Sequence, residues 1–261
     1  MRTSYSALES YKTCPLKFKY QYLDKLKAPK SIEAVFGTII HSTLKKMFER
    51  TPLYPSVDEL INLFTNKWNE SKTDFDQEVA DVFYEDGITI IKNFYKKNPP
   101  WNFNVLELES FFGITIEDEV RNESHTLAGI IDRVDKDPKS DAYEIIDYKT
   151  AKRMPSQDML DTDRQLSIYN LGLLKKWPHV KPENLKLSLY FLKHNEKIET
   201  TRTLEDLEKT KKQILKTIHE IDDLVKKEKE FVPTPSALCD WCGYQKLFWK
   251  NQKIKTGTIS T

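Results

Sequence analysis

Long apolar runs are missing from these 261 residues. No stretch approaches the roughly 20 residues that a membrane-spanning helix needs, which excludes a helical membrane protein and a membrane partner. Met1-Arg2-Thr3-Ser4 leads into polar sequence without the apolar core of a secretion signal, so the expected location is the cytoplasm. Cysteine is scarce and odd in number, three in all, which argues against a secreted disulfide framework. Net charge is close to absent, at +1. There is no global basic field, and any attraction for nucleic acid has to be local. No Gly-Lys-Ser/Thr phosphate loop occurs, so a helicase motor would have to be another chain. What is present, 39% hydrophobic and 31% charged residues, suffices for one good core with room for a helical insertion.

The stretch 127–169 organises the chain. Residues 127–134 and 143–150 are rich in strand formers, and Asp-Lys-Asp-Pro-Lys-Ser-Asp between them is a dense turn signal. The pattern predicts a β-hairpin. Side chains alternate faces along a strand. Asp147 and Lys149 therefore point the same way as Ile145, and Asp132 is expected to share a face with Ile130 and Val134. Pairing the strands brings two carboxylates and one ammonium to one end of an apolar sheet. Charged residues are costly there. One explanation is a site for a hard divalent cation, which relieves the repulsion between carboxylates. The other is that Asp147 and Lys149 run out into solvent while Asp132 pairs with Arg133 or Lys149. Asp-x-Lys alone is common and does not decide between them.

The surroundings do. Gly-Thr-Ile-Ile-His at 37–41 lies on a predicted helix, and Gly-Ile-Ile-Asp-Arg-Val-Asp spans 129–135. Ile-Ile-Asp-Tyr-Lys-Thr spans 145–150, and Gln-Leu-Ser-Ile-Tyr follows at 165–169 on another helix. In this order and spacing the chain, from Ser4 to Trp249, resembles the RecB-type branch of the PD-(D/E)XK nuclease superfamily, which includes CRISPR-associated adaptation nucleases. The resemblance implies an α/β fold, with a restriction-endonuclease-like core of small mixed sheet flanked by helices. It implies a nuclease acting on DNA ends, most often as an exonuclease, in DNA repair, recombination or processing and beside a helicase or other repair partner. His41, Asp132 and Asp147 would hold Mg²⁺ or Mn²⁺, with Lys149 as the signature lysine. Gln165 and Tyr169 would support the site and the nucleic acid. The rival reading is a non-catalytic DNA-binding or scaffold module of a helicase–nuclease complex.

The whole chain, 1–261, reads as one such domain. Its first residues, 4–23, mix Lys12, Lys17 and Lys19 with Tyr11, Phe18, Tyr20 and Tyr22. They read equally as a nucleic-acid grip or as an amphipathic helix with solvated lysines. A helix at 33–50 places Gly37 one turn before His41, opening room for an ion or a strand. Residues 51–100 read as a helical insertion, with Ser56 capping a helix at 57–71 and a second helix at 75–98 ended by Pro99-Pro100. Residues 101–118 turn to strand, with Glu109 as a possible accessory acid, and 117–124 read as a charged turn. A polar connection covers 150–163. Strands are expected at 185–192 and 197–203, then a helix at 206–230 whose charges form a solvated face.

The segment 231–261 carries Cys239 and Cys242 as C-x-x-C, a metal or redox signal. With Cys14-Pro15 these match three of the four cysteines that relatives use for a 4Fe–4S cluster. The fourth position falls near Phe248, which cannot bind iron, and such clusters are held by thiolates. The expectation is a lost cluster, with Phe248 and Trp249 packing the gap. A cluster with a fourth ligand from elsewhere and a zinc remnant are the alternatives.

Overall fold

The structure, a computed structural model, describes residues 1–50, 52–72, 75–140 and 142–247. Phe248 and Trp249 lie outside the described residues. The chain starts with a strand, β1 (Arg2–Ser4), then α1 (Tyr5–Thr13), α2 (Pro15–Phe18) and a π-helical turn (Lys19–Leu23). Three long helices follow, α3 (Ile32–Phe48), α4 (Val57–Ser71) and α5 (Gln77–Lys97). The hairpin strands β2 (Val105–Asp118), β3 (Glu123–Lys136) and β4 (Tyr143–Lys149) come next. Then come α6 (Gln157–Asp161), α7 (Arg164–Lys176), β5 (Leu185–Phe191), β6 (Glu196–Thr200) and α8 (Leu204–Lys226).

Local chemistry sets several boundaries. Ser56 and Glu59 form a reciprocal capping box at α4, and Thr203 with Asp206 does the same at α8. Each satisfies main-chain donors that the first helical turn leaves unpaired. Pro99 and Pro100 follow α5 and cannot extend it. The expected charged turn narrows to 119–122, because Glu117, Asp118, Glu123 and Ser124 continue the β2–β3 ladder. The polar connection holds α6, capped by Ser156. β1 and α6 are short, and such elements leave too little periodicity to read.

The sheet is mixed, in the order β1-β3-β4-β5-β6, with β2 pairing β3 off that path. β2 occupies one edge of β3 along nearly its whole length. The other edge is shared. β1 runs parallel to it from Thr126 to Ala128, and β4 runs antiparallel to it from Arg133 to Lys136. Residues 129–132 of β3 therefore face a gap between β1 and β4. β5 adds parallel to β4, and β6 closes the edge antiparallel to β5.

Each face of the sheet carries its own core. Ile131, Val134, Ile145, Leu187 and Leu189 pack with Leu166, Ile168 and Leu173 of α7 and Ile214 and Ile218 of α8. On the opposite face Ile146, Tyr148 and Tyr190 pack with Phe36, Ile40 and Leu44 of α3, Phe64 and Trp68 of α4 and Phe94 of α5. Each fully buried large apolar side chain contributes about 1.5–3 kcal/mol relative to exposure.

One expectation about faces is corrected. Asp132 and Val134 do not follow a strict alternation, because Ile131 and Val134 enter the same core. Strict alternation would put those two on opposite faces. β2 slips at the matching position. Leu108 packs toward the α3 face, yet Ser110 meets Lys176 of α7. Between them Glu109 adopts φ 47°. The flanking register, Leu108 with Arg133 and Ser110 with Ile131, sets Glu109 opposite Asp132. Both strands thus turn over at one pair, beside the gap.

Candidate active site

The first missing rung of the β3–β4 ladder forms the site. Arg133 pairs with Ile146, so the next opposed residues are Asp132 and Asp147. The strands part there, and the Tyr148 N–H donates to Asp132 Oδ2 at 2.9 Å instead of to a main-chain carbonyl. From α3, His41 Nδ1 reaches Asp132 Oδ1 at 3.3 Å. A Cβ at Gly37 would sit 3.5 Å from Thr150 Oγ1, so the glycine lies where the end of β4 approaches the helix.

Asp147 is 3% exposed and is ringed by side chains from its own strand and from α7. The Lys149 ammonium stands 2.6 Å from Asp147 Oδ2 and donates to Gln165 Oε1 at 2.8 Å. Gln165 Nε2 donates to Asp147 Oδ1 at 3.3 Å and to the Tyr169 hydroxyl at 2.7 Å. The Tyr169 O–H in turn donates to Asp147 Oδ1 at 3.2 Å. The four-residue spacing of Gln165 and Tyr169 stacks them on one face of α7.

The charges in this cluster are strained against one another. Burial pushes the Asp147 carboxyl up; Lys149 pulls it back, Asp132 pushes it further, and the net direction is up. Burial opposes the charge on Lys149, but Asp147 outweighs it and holds the ammonium above its ordinary range. Burial likewise opposes the His41 charge, and Asp132 outweighs it. Burial, then Asp147 and Asp132, drive the Tyr169 hydroxyl far up, so it remains an O–H donor.

Arg133 does not neutralise Asp132. It turns to Asp135, with Nε donating to Oδ1 at 2.7 Å, and it stacks over the rings of Phe48 and Phe103. This removes Arg133 from the bland reading of the acids as an ordinary surface ion pair. Glu109 pairs with Lys45 of α3 at 2.6 Å, one turn beyond His41. Tyr5, which the sequence places on the apolar face of the first helix with no site role, is a further neighbour. Its hydroxyl is pushed up by burial, then by Glu9 and Asp163, and feels Asp147 as well.

The donor set suits a hard cation. Two carboxylates face each other across the gap, and Asp147 Oδ2 has no donor aimed along a hydrogen-bond direction, although Lys149 is near. Oxygen ligands of this kind fit Mg²⁺ or Mn²⁺. Tighter clusters, with three donor atoms all within 4.8 Å of one another, occur elsewhere among the described residues: Asp118 with His125 and His219, and Glu123 with His125 and Asp222. They sit at the far end of the β2–β3 hairpin. His41, Asp132 and Asp147 are not so tightly drawn together. Asp118 accepts from His219 and His125, and the His125 Nδ1 meets the terminal amine at 2.9 Å, so this network is internally satisfied.

Cys14, Cys239 and Cys242 are free thiols of half-buried residues lining one cavity of about 240 Å³. Three thiolates leave a four-cysteine cluster one ligand short. Nothing else about them supports an iron–sulfur group.

Comparison with known proteins bears on the fold and on the family. A crystal structure of a protein from Eubacterium rectale, described as a candidate exonuclease, superposes with a TM-score of 0.55 at 13% identity. It covers 92% of this chain and 86% of its own. The crystal structure of SSO0001 matches at a TM-score of 0.40 and 13% identity, over 82% of this chain and 93% of its own, too distant to argue from. No curated protein matches the sequence. The profile of one family matches residues 2–247. That span contains the parted hairpin, its two acids, the lysine and the supporting helix, and the chain belongs to the PD-(D/E)XK nuclease superfamily.

Proposed function

We propose that this chain is a metal-dependent deoxyribonuclease that hydrolyses phosphodiester bonds from DNA ends. The observation that supports it most is the placement of Asp132 and Asp147 at the parted end of the hairpin, with Lys149 held between Asp147 and Gln165. Asp132, Asp147 and His41 are the residues that would hold Mg²⁺ or Mn²⁺. Such an ion, when bound, supplies charge stabilisation and a water whose pKa falls from roughly 15.7 toward neutrality.

The chain's own residues do the rest. Lys149 is kept protonated by Asp147, so it presents a fixed positive charge to a phosphate oxygen as negative charge builds there. Gln165 keeps that ammonium aimed, by accepting from it while donating to Asp147. Tyr169 fixes the Asp147 carboxylate through its hydroxyl. The Tyr148 N–H and His41 anchor the two oxygens of Asp132.

The end-directed mode rests on the resemblance and on the neighbour from Eubacterium rectale. A role in repair or recombination beside a separate helicase chain rests on the resemblance alone. No helix among the described residues is long and apolar enough to cross a membrane.

The test is cleavage of end-labelled single-stranded and duplex DNA with Mg²⁺, Mn²⁺ or chelator. The expected result is metal-dependent release of short products from an end, lost in Asp147→Asn. Binding without cleavage under every metal condition would overturn the reading and make the chain a non-catalytic DNA-binding module.

A further inference from the structure

A second charged feature lies beside the site and outside it. Lys12 of α1, Arg164 of α7 and Lys216 of α8 line a cleft of about 440 Å³, together with Thr162, Gln213 and Glu220. Three cations from three helices thus face one lining carboxylate. Arg164 also pairs with Glu9. Among the described residues no carboxylate comes within ion-pair distance of Lys12 or Lys216. Lys12 is held below its ordinary range, by burial first and then by Arg164, with Lys216 adding to the effect and Glu9 and Glu220 opposing it. Three cations set against two carboxylates, Glu220 and the Arg164-paired Glu9, leave a local excess of positive charge that attracts an anion.

The cleft is joined to the acids through the start of α7. Arg164 precedes Gln165, which bonds to both Lys149 and Asp147. The Tyr5 hydroxyl feels both Glu9 and Arg164, and Asp147 as well. The chain's net charge is only +1, so this crowding is local. Among its neutral lining groups, the Gln213 side-chain amide is a hydrogen-bond donor suited to phosphate oxygens, while the Thr162 hydroxyl donates to the Asp158 carbonyl at 2.9 Å.

We infer that the Lys12–Arg164–Lys216 cleft holds the phosphodiester backbone of the nucleic-acid strand next to the phosphate at Asp132 and Asp147. The inference rests on the nuclease reading and adds the path of the strand. The strand runs over the start of α7, from the β4 end toward the groove between α1 and α8. Contacts of this kind position the backbone and carry no base preference.

The test is binding of a fluorescein-labelled single-stranded oligonucleotide in chelator, measured by anisotropy across a salt series. The proteins are wild type, a Lys12→Glu/Lys216→Glu double variant, and a control Lys92→Glu/Lys96→Glu on α5, across the sheet. All four lysines are exposed, so the variants fold, which circular dichroism verifies. Each lost phosphate contact lowers the salt slope by about 0.7 on a single strand, so the double variant loses about 1.4. Its affinity falls at least about tenfold, and the control changes by less than half as much. Equal losses in both double variants, or an unchanged Kd and slope for Lys12→Glu/Lys216→Glu, would overturn the inference. Cleavage is not read in this assay. A wild type that binds here and never cuts with metal overturns the nuclease reading instead.

Discussion

The Tyr148 N–H donates to Asp132 Oδ2 at 2.9 Å, so a side chain stands where the next rung of the sheet would be. The ladder ends at Arg133 and Ile146, and the two acids are the first residues past it. The pair is placed by the failure of the sheet to continue.

Asp147→Asn is expected to abolish cleavage and to raise stability together. The carboxyl is pushed up on folding, by burial first, so its ionised form is unfavourable in the folded chain at neutral pH. Removing the charge removes that cost. A Tm increase of about 2–4 °C is expected for each kcal/mol gained in a chain of this size. Thermal unfolding without metal measures it, and a lower Tm would contradict the charge balance described here.

Lys149→Ala is expected to act in the opposite direction on stability and the same direction on rate. It removes the ammonium nearest a buried carboxylate. Cleavage falls by about 10²–10³, and the urea midpoint drops. Combining it with Gln165→Ala adds less than the sum of the single effects, because Gln165 works through Lys149. A double variant with fully additive losses would separate the two residues.

Arg133→Ala is expected to cost about 3–5 kcal/mol, because it leaves Asp135 buried without its partner. Arg133 is 1% exposed and lies over Phe48 and Phe103. Equilibrium unfolding in urea reads the loss directly, and Asp135→Asn in the same chain restores part of it.

Acid sensitivity is expected at the far end of the hairpin. The Asp118 side chain is 0% exposed. Burial alone would raise its carboxyl, yet His219, the Arg121 N–H and His125 together hold it below its ordinary 3.8. A carboxyl lowered by folding adds stability above its unfolded value and loses it as pH falls through the folded one. Asp118→Asn therefore destabilises at pH 7, and its difference from wild type shrinks below about pH 4. Urea midpoints at several pH values decide this. A difference that stays constant would remove the charge argument.

Gly87→Ala is expected to destabilise, although alanine is the better helix former by about 1 kcal/mol. A Cβ there would come within 2.8 Å of three ring carbons of Phe64. The close approach of α4 to α5 needs the bare backbone, and the clash costs about 1–3 kcal/mol. Tm falls while cleavage persists.

The helices and strands that carry the candidate site were legible. His41, Asp147, Lys149, Gln165 and Tyr169 fall in short motifs whose helix and strand periods survive in the fold. α4 is Val57–Ser71, as the capping serine and apolar spacing indicate. The reversal at Glu109 and Asp132 was not legible. A positive φ at a glutamate depends on the opposing strand, not on local propensity. β1 was hidden because three residues cannot show alternation, and Arg2–Ser4 becomes a strand only by meeting β3. The Lys12 cleft was half visible. The lysines at the start of the chain stood out, but their companions Arg164 and Lys216 come from distant helices.

The pairing of Arg2 with Thr126 has a temporal consequence. One wall of the gap comes from β1, and the other from β4, more than a hundred positions later. Gln165 and Tyr169 emerge later still. A nascent chain therefore lacks part of this candidate site until the span through Tyr169 is outside the tunnel.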